Sequence, residues 1–189
     1  MRILITGTPG TGKTTFSLYF SETYGYYYIN VNDLAKKQNL FLEYDNSRNS
    51  YIIDIDKVKY KIRNLLKGKN NVIIDTHIVD AVPKNINLVI VFRLNPIKLL
   101  NILKSRGYSE KKIAENVEAE LLGICAYDAY KRFHDKVFEL DVTDKKFNEI
   151  EQFIIFAGKK IIKNQEIDWP TLLNNKDLEE LLGYLSKNR

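Results

Sequence analysis

RILITGTPGTGKTT, residues 2–15, sets the architecture. Arg2 to Thr6 is short, apolar and β-branched, and it runs directly into glycine, as a buried parallel strand does where it ends in a loop. Gly7 to Thr14 then match the pattern G-x-x-x-x-G-K-[ST] at every fixed position, between that strand and a helix. The glycines let the backbone curl so that its N–H groups point at a β-phosphate. Lys13 reaches the β/γ oxygens, and Thr14 offers its hydroxyl to Mg²⁺. The helix that starts there adds its positive end. The dinucleotide pattern G-x-G-x-x-G fails, because Gly10-x-Gly12 is followed by Thr15 where the third glycine belongs. ATP or GTP is therefore the expected ligand, not NAD.

The chain downstream alternates in the same manner. Phe16, Leu18, Tyr19 and Phe20 fit a helix over 13–24, and Gly25 stops it. A second strand is expected over 26–31. Asn71 to Thr76 (NVIIDT) and Leu88 to Arg93 (LVIVFR) read as central parallel strands whose polar C-terminal ends face a ligand crevice, with Val137 to Leu140 as a weaker fifth. Helical segments near 56–66, 95–105, 110–134 and 145–163 separate them, so the expected fold is α/β: a three-layer, doubly wound parallel sheet with helices on both faces. Residues 32–55 break the pattern, mixing a short helical piece (33–37) with polar and aromatic residues, and read as an inserted flap. After about Glu166 the only tryptophan, Trp169, precedes Leu178, Leu181, Leu182 and Leu185, spaced as one face of a helix. A terminal amphipathic helix docks on the body by default, with a partner-binding face as the alternative.

The whole chain, 189 residues with 44% hydrophobic and 28% charged, has the size and composition of one ordinary globular domain, which excludes disordered, fibrous and disulfide-stapled classes. Its single cysteine, Cys125, supplies neither an internal disulfide nor a Cys-rich metal site, and points to a reducing compartment. Apolar runs reach only about five residues, against the ~18 or more of a membrane span. No signal-peptide core is visible, so the protein is expected to stay in the cytoplasm. The formal charge of +5 lies entirely in residues 1–95, with 13 Lys/Arg against 8 Asp/Glu, while residues 96–189 hold 16 of each. That balance suits a phosphate-bearing ligand and is too modest for a dedicated DNA binder.

A polyphosphate site needs a carboxylate at the end of a neighbouring strand for the metal and its water shell. Asp75, ending NVIID, is placed for it. His77, two residues on along an extended chain, points the same way and is a candidate to orient or activate a water. Arg106, in Arg106-Gly107-Tyr108 between two helices, is a candidate lid arginine that closes over the transferring phosphoryl group. Arg93, at a strand end, is a weaker candidate for facing phosphates.

Taken together, GTPGTGKTT (7–15), Ile29 to Leu34, Asp54-Ile55-Asp56, Asp75-Thr76-His77 and Arg106 to Lys112 resemble, in order and spacing over about residues 1–160, the atypical adenylate kinases also described as coilin-interacting nuclear ATPases. The resemblance implies a kinase domain over 1–165, with a nucleoside-monophosphate-binding insertion at 30–53 and a short lid at 105–115. Residues 166–189 form an extension outside it. It also implies ATP contacts from Gly10, Gly12, Lys13, Thr14, Thr15 and Arg106, a Mg²⁺ site at Thr14 and Asp75, and a modified metal/water motif of Asp75 with His77. The catalytic set is then Lys13, Asp75, His77 and Arg106. Implied partners are AMP, a platform ribosomal protein and the immature small ribosomal subunit, in the nucleus as well if the source is eukaryotic. The family commonly has an aromatic residue before the histidine and glycine after it, where this chain has Thr76 and Ile78.

Three functions fit this reading: a broad-specificity adenylate kinase with ATPase activity, an assembly ATPase of ribosome maturation, or a small-metabolite kinase on the same fold.

Overall fold

A computed structural model describes residues 1–45 and 50–188 of the chain. The first strand, β1 (Arg2–Gly7), lies at the centre of a five-stranded parallel sheet. Its partners are β2 (Tyr27–Asn30), β5 (Val72–Asp75), β6 (Leu88–Arg93) and β7 (Val137–Asp141), in the order β2-β5-β1-β6-β7. Continuous apolar strands are needed because both faces are covered. Leu4, Val72, Ile74, Val89 and Val91 pack on one face against α3 (Ile55–Leu65) and α6 (Ile124–Phe133). Ile3, Ile5, Ile73, Ile90 and Phe92 pack on the other against α1 (Lys13–Tyr24) and α7 (Phe147–Gly158). The expected three-layer doubly wound fold is present.

β1 ends at Gly7, whose φ is +135° and whose neighbour on β6 is close: a Cβ there would stand 2.3 Å from the Phe92 carbonyl oxygen. Gly12, at φ +88°, begins α1 without a side-chain cap, so the first-turn N–H groups are left to an incoming acceptor. Gly25 closes α1 as expected. The second strand is shorter than 26–31 because Asn30 turns out of it to cap α2 (Val31–Lys37), accepting from the Asp33 N–H at 2.9 Å. Beyond α2 the chain makes an antiparallel pair, β3 (Phe41–Asp45) and β4 (Ser50–Ile53), which form a separate two-stranded sheet. Part of the expected flap, residues 46–49, lies outside the described residues.

The segment 110–134 is not one helix. α5 (Glu110–Leu121) ends at Leu122-Gly123, where Gly123 has φ +66°, and α6 starts afresh. The left-handed Gly123 ends the helix, and the Glu120 carbonyl in its last turn accepts both the Gly123 N–H at 3.1 Å and the Arg93 guanidinium at 2.9 Å. The stretch 145–163 likewise shortens to α7, because Lys160 adopts φ +57°, and beyond it Asn164 Oδ1 accepts the N–H of Glu139 in the middle of β7 at 2.8 Å.

A third cluster joins α4 (Pro96–Ser105) and α5 to the tail, which forms α8 (Trp169–Leu172) and α9 (Asn175–Lys187). Leu181 and Leu185 are buried there with Trp169, while Leu182 stays exposed. The terminal helix thus docks on the body. Among the described residues no helix is long and apolar enough to cross a membrane.

Candidate functional site

The C-terminal ends of β1 and β5 open into a cleft of about 1250 Å³. It lies beside the point where successive strands are laid on opposite sides of β1, which is where open α/β sheets place ligands. Gly10, Lys13, Thr14, Asp75 and His77 all line it. Gly12, Thr15 and Arg106 do not: Gly12 and Thr15 are exposed at the start of α1, and Arg106 is exposed where it caps the end of α4.

Lys13 is 7% exposed, and its Nζ donates to the Thr8 carbonyl at 2.9 Å. Burial pulls the ammonium pKa below its ordinary value, against the counter-pull of the Asp75 carboxylate. Thr14 Oγ1 donates to Asp75 Oδ2 at 2.6 Å. Two further donors, Asn30 Nδ2 at 2.8 Å and the Tyr28 hydroxyl at 3.2 Å, converge on the same oxygen. Desolvation, reinforced by Asp75, raises the Tyr28 pKa, so the phenol keeps its proton and remains a donor. Asn30 therefore has two uses: its Oδ1 caps α2 and its Nδ2 orients Asp75.

His77 is exposed within the cleft. Desolvation by the cleft walls, with the positive charge of Lys13, lowers its pKa from the ordinary 6.5 to about 4, so the imidazole is neutral at neutral pH. A neutral ring can accept a proton from water; an imidazolium cannot.

The donor set fits Mg²⁺. A hydroxyl and a single carboxylate are hard oxygen ligands, and Mg²⁺ characteristically takes one or two carboxylates plus water and substrate phosphates rather than a protein-only cage.

Arg93 does not face the cleft. It is 2% exposed and ion-paired with Glu120 Oε1 at 2.9 Å and with Glu139, whose carboxylates outweigh the cost of burial and raise its pKa. The expectation that it faces phosphates is wrong for a physical reason: two buried carboxylates capture it first. Tyr28, Asn30 and Glu120 are the participants that motif reading passed over. Asn30 carried a legible signal, as an Asn three residues before Asp33 at a strand-to-helix junction; Glu120 looked like any charge on a helix.

The cleft is also lined by the β3–β4 strands with Lys36 of α2, by Tyr108 and Ser109 of the α4–α5 turn, and by Lys111 and Lys112 in the first turn of α5. Phe41 stacks on Tyr51 with ring centroids 4.7 Å apart, and Tyr44 meets Tyr51 edge-on at 4.9 Å.

Residues 3–123 match the AAA domain family. A protein of Saccharolobus solfataricus named "Putative adenylate kinase" is 41% identical over 150 residues, covering 79% of this chain and 79% of its own. One of the same name from Sulfurisphaera tokodaii is 38% identical over 189 residues, covering 99% and 94% respectively. Among solved structures, shikimate kinase from Acinetobacter baumannii in complex with shikimate superposes with a TM-score of 0.60 at 13% identity, over 85% of this chain and 93% of that one. Deoxyadenosine kinase from M. mycoides with bound dATP gives 0.52 at 19% identity, over 85% and 99%. Those two likenesses establish a P-loop kinase fold. With a sheet that centres the phosphate-loop strand, a Lys-Thr pair at the helix start, and relatives that align along nearly the whole chain, this protein belongs to an adenylate kinase-like family of P-loop proteins.

Proposed function

We propose that the chain is a broad-specificity adenylate kinase, converting ATP and AMP into two ADP. The observation that carries this reading is the convergence of Thr14, Asn30 and Tyr28 on one oxygen of Asp75, at the mouth of the phosphate loop and across one cleft from the hairpin. In this reading the loop amides with Gly10, Gly12, Thr14 and Thr15 cradle the polyphosphate of ATP. Thr14 and Asp75 hold Mg²⁺, which when bound neutralises charge on the β- and γ-phosphates. The insertion at 30–53 takes AMP, and the turn within 105–115 brings Arg106 over the transferring group as a lid.

An oxygen of the AMP phosphate attacks the γ-phosphorus in line, the bond to the β–γ bridging oxygen breaks, and its electron pair stays with ADP. Lys13 balances the charge that gathers on those oxygens. Catalysis is then positioning plus electrostatics, and hairpin and turn exclude water that would otherwise hydrolyse ATP.

His77 supports a second reading, an ATPase. Its neutral imidazole stands in the cleft near Asp75, suited to accept a proton from an attacking water. Under that reading the family resemblance points to maturation of the small ribosomal subunit with a platform ribosomal protein, and AMP is incidental.

ADP measured after incubation with ATP, with and without AMP, separates the two. Two ADP per AMP consumed, lost by about 10²–10³-fold in Lys13→Ala, supports transfer. ADP formation that ignores AMP overturns it in favour of the ATPase.

A further inference from the structure

Thr8, second residue of the phosphate-loop motif, is 1% exposed and tied at both ends. Its carbonyl accepts Lys13 Nζ at 2.9 Å and Thr11 Oγ1 at 3.0 Å. Its hydroxyl donates to Glu120 Oε2 at 2.5 Å, with Cys125 Sγ 3.9 Å away. A peptide unit held this way has little freedom to tilt, so where the Thr8 carbonyl points, and with it Lys13, depends on where Glu120 stands.

Glu120 is itself 1% exposed. Its other oxygen accepts Arg93 Nε at 2.9 Å, the Leu94 N–H at 3.1 Å and the Trp169 indole N–H at 3.0 Å. Three donors thus crowd one oxygen of the carboxylate, and the Thr8 hydroxyl holds the other. Arg93 also reaches Glu139 and the Ile167 carbonyl, so the tail enters this buried network twice. Neither the phosphate-transfer reading nor the motif assigns any of these groups a task. In a water-free interior a carboxylate that loses one donor shifts toward the donors that remain.

We propose that Trp169 is a positioning residue for nucleotide binding: its indole N–H, acting through Glu120 and the Thr8 hydroxyl, holds the phosphate loop and Lys13 in their binding geometry. The inference rests on the nucleotide reading above and extends the site to a tail segment 49 residues beyond Glu120. A purely structural Trp169 would serve only as apolar filling for the cluster with Leu99, Leu103 and Leu181. The two roles separate because Phe fills most of that space and lacks the N–H.

The chain's single tryptophan also makes its emission a direct reporter of the network. Calorimetry of the full chain with ATP and magnesium, paired with Trp169 fluorescence during the same titration, tests the proposal. The wild type is expected to change emission with the calorimetric Kd. Trp169→Phe is expected to fold, by circular dichroism, yet bind ATP about fivefold more weakly, and Thr8→Val about tenfold more weakly with the emission response lost. Thr8→Ser, which keeps the hydroxyl, is expected to restore both. Wild-type affinity in Trp169→Phe, or an unchanged emission response in folded Thr8→Val, overturns the proposal alone. If Thr8→Val does not fold, the Trp169→Phe affinity decides. Failure of the wild type to bind at millimolar ATP instead overturns the nucleotide reading, and this proposal with it.

Discussion

Behind the phosphate loop stand Glu120, Arg93 and Glu139, none more than 5% exposed and each bonded to several partners. Across the cleft, the β3–β4 pair shows Leu42 and Tyr51 to solvent at 67% and 59%, stacks Phe41 on Tyr51, and packs on the core through the half-buried Phe41 and Ile53. The difference is one of kind. Buried charges must be satisfied in one arrangement or suffer heavily, whereas a lone two-stranded sheet is only marginally stable and can shift at small cost. On the proposed reading a phosphoryl-transfer cleft profits from both, a wall that keeps the donor phosphates still and a wall that adapts to an acceptor.

Four measurements bear on this contrast. Arg93→Ala leaves two buried carboxylates without their cation, so urea unfolding is expected to show a loss of about 3–5 kcal/mol. A loss below 1 kcal/mol would remove the distinction between the walls. His77, which lines the cleft, is expected to matter to water rather than to AMP: His77→Ala should cut ATP hydrolysis by about a hundredfold while reducing AMP phosphorylation much less. Equal losses would deny it that role. The pH dependence follows from its lowered pKa. The folded value, about 4, lies below the ordinary 6.5, so the folded protein resists protonation of this ring, and the stability that goes with the neutral form is lost as pH falls from 6.5 toward 4. Proton NMR of the two histidines, His77 and His134, should show one midpoint near 4, absent from His77→Ala. The smallest expected effect is at the hairpin. Tyr51→Ala should cost about 1 kcal/mol or less in stability and raise the KM for AMP several-fold, and a stability loss as large as that of Arg93→Ala would mean the hairpin is no softer than the loop.

Much of the sheet was readable because parallel strands buried on both faces must be continuously apolar, and RILIT, NVIID and LVIVFR have no other comfortable home. Lys13, Thr14 and Asp75 were readable because motif spacing and strand ends dictate where they emerge. Side chains whose role depends on distant partners were not. Arg93 ends a strand as a phosphate ligand would, and only the fold shows Glu120 and Glu139 arriving from 27 and 46 residues away. The second donor on the Glu120 carbonyl, beside the break at Gly123, is hidden for the same reason, since Arg93 lies on β6. The hairpin escaped because residues 41–53 lack strict alternation and carry a bulge between Phe41 and Glu43.

Gly7 shows how such a motif should be mutated. The letter that opens the pattern answers to the Phe92 carbonyl on the adjoining strand, while on the proposed reading the letters that close it answer to the nucleotide. Alanine at Gly7 would wedge β1 away from β6, and any lost turnover would record a damaged scaffold rather than a missing phosphate contact. An alanine scan scored by activity alone would merge these two kinds of invariance, one owed to steric fit between strands and the other to chemistry.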